Sequence, residues 1–182
     1  MARIHTGSGC WLNVLRSYLL FSVGANFIWE IAHLPLYTIG QTGSLDELAF
    51  AVAHCTASDL LIAGGALMGS LLLFGTRGWP NERFLLIASL TVLVGIGYTL
   101  FSERRNTERG SWTYSTLMPV VPMTGTGLTP LGQWIVIPVA AFWWARRRQR
   151  TSSDAVGSDA SSVPSSLRAR EGQHQERSIN GQ

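Results

Sequence analysis

The chain is 182 residues long, 46% hydrophobic and only 14% charged, where an average soluble domain carries roughly 25% charged residues. Residues 1–150 hold eleven Arg and seven acidic residues, and residues 151–182 hold three and four. The few charges of the net-positive body stand between apolar runs, which excludes an ordinary soluble core and specifies one polytopic membrane domain.

Four apolar segments, 17–38, 48–74, 84–102 and 128–145, are predicted as transmembrane helices. At ~1.5 Å per residue each crosses or nearly crosses a hydrocarbon core of about 30 Å. The fold class is therefore all-α, a four-helix transmembrane bundle over residues 1–150. The tail, 151–182, has isolated apolar residues only and is expected to be disordered. In the first segment Val23-Gly24-Ala25 has the small-residue look of a signal-peptide cleavage site. The apolar run continues through Phe27, Ile28, Trp29 and Ile31, so retention as helix one is expected.

Orientation follows from the Arg distribution. With the N-terminus inside, the inner side holds Arg3, Arg16, Arg77, Arg83, Arg146, Arg147, Arg148 and Arg150, and the outer side Arg104, Arg105 and Arg109. Eight against three predicts both termini in the cytoplasm. The run after Ala145 reads as a membrane-flanking anchor, with membrane lipids as partners and no nucleic acid. The oligomeric state is left open.

Helix one carries Ser22, Asn26, Glu30, His33 and Tyr37 at spacings of four, four, three and four. At 100° per residue these fall within a wedge of about 80°. A Glu facing lipid costs roughly 2.5–3.5 kcal/mol, so the stripe is expected to face inward. Helix two adds His54 and Asp59, with Thr56, Ser58 and Cys55 between them, and then Gly65-x-x-x-Gly69, a spacing that lets a neighbouring helix approach closely. Cys10 and Cys55 are read as free thiols, two cysteines being too few for a disulfide framework.

Between helices three and four lies the longest connection, 103–127, charged at first and then apolar and rich in Pro and Gly. An apolar irregular segment beside a membrane is expected to fold back over the bundle as a lid.

Depth arithmetic brings these residues together in the outer half of the bilayer. Catalytic roles are expected for Glu30, Asp59, His33 and His54, and ligand-binding roles for Asn26, Tyr98, Glu103, Trp112, Tyr114 and Gln133. Paired carboxyls beside histidines are suited to acid/base chemistry. The spacing makes no metal-ligand signature, and neither metal nor cofactor is expected. The same groups also fit a structural hydrogen-bond network, in which one polar contact between helices contributes ~1 kcal/mol.

The segments NFIWEIAHLPLYT (26–38), HCTASDLLIA (54–63) and SWTYSTLMPVVPMTGTGLTPLGQWIVIP (111–138) resemble those of small, uncharacterised bacterial multi-pass membrane proteins. That resemblance implies a four-helix membrane fold and brings no activity, ligand or catalytic residue. The Gly110-Ser111-Trp112-Thr113-Tyr114 element and the acidic, His-bearing helices are similar in style to membrane enzymes that protonate isoprenoids, such as the small lycopene cyclases. The expected function is binding of, or acid/base chemistry on, a lipid or isoprenoid-like amphiphile in an outer-leaflet pocket. The alternatives are a proton-coupled transporter or ion-conducting oligomer, and a non-catalytic accessory subunit.

Overall fold

A computed structural model describes the backbone of residues 7–161 and the side chains of residues 11–151. The helices are α1 (Gly7–His33), α2 (Ile39–Thr42), α3 (Leu45–Phe74), α4 (Phe84–Glu108) and α5 (Leu128–Ser161), with a 3-10 turn at Leu34–Leu36 after α1. Among the described residues there is no β-strand, only the isolated bridges Tyr37↔Tyr114 and Val120↔Gly127. Four helices are long and apolar enough to cross a membrane, with spans Trp11–Leu36, Leu45–Phe74, Phe84–Glu108 and Leu128–Thr151.

The boundaries depart from the expected ones for local reasons. α1 begins ten residues before Ser17, because Val14 and Tyr18, four apart, already belong to the buried face. It ends at His33 because Pro35 follows closely: proline has no N–H to donate and restricts the residue before it. α3 starts at Leu45 through a capping box, with the Ser44 hydroxyl accepting from the Glu47 N–H while the Glu47 carboxylate accepts from the Ser44 N–H. α4 continues past Ser102 to Glu108. The Arg104–Glu108 ion pair lies at 2.8 Å, and Asn106 and Thr107 return side-chain hydrogen bonds to the carbonyls of Ser102 and Glu103.

The described residues divide after Arg146 into two compact units. α5 does not stop at Ala145 but runs to Ser161, so the stretch from 151 to there is helical where disorder was expected. The remainder of the predicted tail, 162–182, lies outside the described residues, as does the Cys10 side chain.

In the first unit, Val14, Tyr18, Ala63, Leu67, Phe84, Ile87, Trp134 and Phe142 make the core. The Phe142 ring lies 4.5 Å from that of Tyr18 and 5.7 Å from that of Phe84, centroid to centroid, tying α5 to α1 and α4. Gly95 admits the Trp134 side chain of α5 against α4: a Cβ there would strike the indole. Gly65 and Gly69, the spacing expected to seat a helix, have open space beside them instead.

The distribution of polarity is inverted relative to a water-soluble protein. Ile28, Leu61, Leu72, Leu73, Leu85 and Leu93 are all more than 60% exposed, whereas Ser22, Asn26, Glu30, Thr91 and Gln133 are buried. An apolar exterior of this extent requires a non-aqueous surrounding. The protein is a multi-pass membrane protein.

Candidate functional site: a buried carboxyl, imidazole and amide network

Helical spacing delivers four of the five stripe residues: Ser22, Asn26, Glu30 and His33 are buried on α1, whereas Tyr37 lies past the helix end and bridges to Tyr114. Opposite them, α5 contributes Gln133. Its amide nitrogen contacts three acceptors, Asn26 Oδ1 at 2.8 Å, Glu30 Oε1 at 3.1 Å and Asp59 Oδ2 at 2.8 Å. A primary amide has two hydrogens, so three acceptors share two donors. Asn26 in turn donates to the Ser22 carbonyl at 2.8 Å. The carboxyl groups of Glu30 and Asp59 are close enough to interact with each other.

The other Glu30 oxygen, Oε2, lies 3.1 Å from His33 Nε2. The imidazole stands edge-on to the Tyr37 ring at 5.4 Å. Its second nitrogen, Nδ1, is buried and has no hydrogen-bond partner. A buried orphan nitrogen is uncommon in folded proteins and calls for an explanation. When the carboxylate accepts from Nε2–H, Nδ1 is left with a free lone pair, the form of imidazole that accepts protons.

A third carboxyl joins from α4. Glu103, expected to open the connection, lies instead within the helix, is buried and accepts a hydrogen bond from the Tyr114 hydroxyl. It interacts electrostatically with both His33 and Glu30. Tyr114 also accepts from the Gly127 N–H at 3.0 Å, so one phenol fastens both ends of the connection between α4 and α5. Burial first, and then the neighbouring Glu103 carboxylate, push the Tyr37 and Tyr114 hydroxyls above the ordinary phenol range. Trp112 lies beside the same carboxyl.

The connection folds back as expected and is strapped to the exit of α1. Thr38 N donates to Thr113 O at 3.0 Å, Ser115 N to Leu36 O at 2.9 Å and the Ser115 hydroxyl to Pro35 O at 3.2 Å. Met118, Ser115 and Thr126 are buried beneath it. A polar cleft of about 350 Å³ opens between Arg104, Thr107 and Thr124–Thr126 at this end.

Of the ten residues expected at the site, Glu30, His33, Asp59, Asn26 and Gln133 meet in one network, with Glu103, Tyr114 and Trp112 adjoining it. His54 and Tyr98 do not join it. His54 is exposed and stacks on Phe50 at 5.6 Å, because five residues from Asp59 turn it ~140° around the α3 axis. Tyr98 is 47% exposed, its ring 6.5 Å from Phe101 on the outer face of α4. One neighbour was not anticipated: the Cys55 thiol lies near enough to Glu30 to interact with it electrostatically. It lies one turn before Asp59 on the same face of α3, and that i, i+4 relation is the signal that identifies it. Among the described residues no three His, Cys, Asp or Glu side chains are arranged to hold a metal ion. Comparison with protein-family models, with curated proteins and with solved structures finds no match to this chain.

Proposed function

We propose that this protein carries out proton transfer on a membrane-borne amphiphile of the lipid or isoprenoid class, in a bacterial cytoplasmic membrane with both termini cytoplasmic. Glu30 and Asp59 share and deliver the proton, and His33 is the base oriented by Glu30. Asn26 and Gln133 hold the carboxyls in place, and Trp112, Tyr114 and Glu103 line the approach. The observation that carries this reading is the His33 ring, fixed by Glu30 on one nitrogen while the other is buried and unpartnered. Acid/base catalysis needs an orienting carboxylate on one side of the imidazole and a free lone pair on the other, and the His33 arrangement supports this reading.

Mass spectrometry of lipids released from purified protein tests this. An amphiphile enriched over the bulk membrane lipid, and lost on His33→Asn with folding intact, is the expected result. Repeated isolation of stable protein carrying only bulk lipid overturns it.

A second reading, proton conduction, draws on the electrostatic continuity from Asp59 through Glu30 and His33 to Glu103 and Tyr114. Proton flux into protein-loaded vesicles, abolished by Glu30→Gln, would favour it over lipid chemistry.

A further inference from the structure

At the opposite end of the bundle, where the first span begins at Trp11 and the second ends at Phe74, a cleft of about 560 Å³ is lined by Trp11, Met68, Leu71, Leu72, Arg77 and Trp79. Its walls come from two membrane spans and from the turn that links α3 to α4. The turn is rigidly made. Arg83 adopts a left-handed conformation (φ 54°) and its guanidinium donates to the Phe74 carbonyl at 3.2 Å, closing the end of α3. The Thr76 hydroxyl donates to the Glu82 carboxylate at 3.0 Å.

Three features of the cleft belong together. Its body is apolar, formed by Met68, Leu71 and Leu72. Its rim carries Arg77, which is exposed and takes part in neither ion pair found among the described residues. Its wall includes Trp79, buried at 6% exposure, whose indole N–H has no hydrogen-bond partner. Arg77 is the one charged residue among those lining the cleft, so the rim is positive. An apolar slot at the membrane boundary, closed by a cation and an unsatisfied N–H donor, complements an acyl chain below an anionic, oxygen-rich headgroup.

We infer that this cleft is a binding site for an anionic phospholipid of the surrounding leaflet. The acyl chain runs along Leu72 and Met68, Arg77 pairs with the phosphate, and the Trp79 indole donates to a headgroup or glycerol oxygen. The site is separate from the carboxyl network and makes no demand on the chemistry there.

The test uses the full chain in detergent micelles supplemented with phosphatidylglycerol or phosphatidylcholine, with retained lipid counted by native mass spectrometry. Wild type is expected to retain phosphatidylglycerol over phosphatidylcholine. Arg77→Gln is expected to lose that preference by at least about five-fold, and Arg109→Gln, an exposed Arg at the far end of the bundle, is expected to keep it. A second variant, Leu72→Gln, is expected to weaken both lipids. Equal retention by Arg77→Gln and wild type overturns the proposal. So does complete displacement of the lipid by inorganic phosphate, which would show a simple anion site. Thermal midpoints of all variants are read alongside, and a retention loss in Arg77→Gln that tracks unfolding rather than preceding it also overturns the proposal.

Discussion

The Gln133 amide of α5 donates to the Asp59 carboxylate of α3 at 2.8 Å, across 74 positions of sequence, while the same nitrogen reaches Asn26 and Glu30 on α1. One side chain thus fixes the relative positions of three helices. A single hydrogen bond between membrane helices is worth only about 0.6 kcal/mol on average. Stranding three buried acceptors is a larger matter, each costing about 1–3 kcal/mol if left unpaired. Gln133→Leu is therefore expected to lower the thermal midpoint in detergent markedly more than Ser70→Ala, which removes only the 3.5 Å bond from Thr91. Equal midpoints for the two variants would sink this account of the hub.

Gly95 and the pair Gly65/Gly69 make opposite predictions. A methyl at Gly95 meets the Trp134 indole, whereas a methyl at Gly65 or Gly69 meets nothing within 4 Å. Overpacking of a tight contact typically costs 1–3 kcal/mol. Gly95→Ala is expected to destabilise by about that amount, and Gly65→Ala and Gly69→Ala to be neutral or slightly stabilising. Unfolding in detergent by chemical denaturant separates them.

Glu30→Gln and Asp59→Asn keep shape and hydrogen-bonding capacity while removing an ionisable group. Both are expected to insert and express close to wild type and to lose proton-transfer activity. Disappearance of both variants from the membrane fraction would mean that the carboxyls serve packing alone.

Tyr114→Phe removes the hydroxyl that joins Glu103 to the Gly127 N–H. A hydrogen bond to a charged group contributes about 1.5–3 kcal/mol, so faster hydrogen exchange across 109–127 is expected, with α1 and α3 unchanged. The pH dependence has a definite sign. Tyr37 and Tyr114 hold their protons more tightly folded than unfolded, where a phenol titrates near 10. Their contribution is fully present below about pH 10 and is lost as pH rises above it toward the folded values. Thermal midpoints should accordingly fall above about pH 10, less steeply in Tyr114→Phe; an alkaline slope unchanged by the substitution would contradict this.

The helical pattern and the direction of the α1 stripe were legible because burial of polar groups in a membrane leaves a strict angular signature: Ser22, Asn26, Glu30 and His33 can share a face only by turning inward. Pairing Gln133 with Glu30 by depth also succeeded, since rise per residue is nearly constant. His54 and Tyr98 were misplaced because depth alone says nothing about rotation around the axis. Glu103 opens the expected connection because charge usually marks a helix end, yet it lies inside α4; the partner that lets it enter the interior, Tyr114, comes from an irregular segment whose path no periodicity reveals. The start of α3 was available in Ser44-x-x-Glu47 and outweighs the hydropathy boundary at Leu48.

The three-way amide contact also orders events during synthesis. α1 and α3 leave the ribosome first and can bring Glu30 against Asp59, but Gln133 follows Asp59 by 74 residues. For that interval the half-made protein carries two acidic side chains into the bilayer without the donor that settles them. A chain that stops between α4 and α5 is therefore expected to be less stable in the membrane than the full chain.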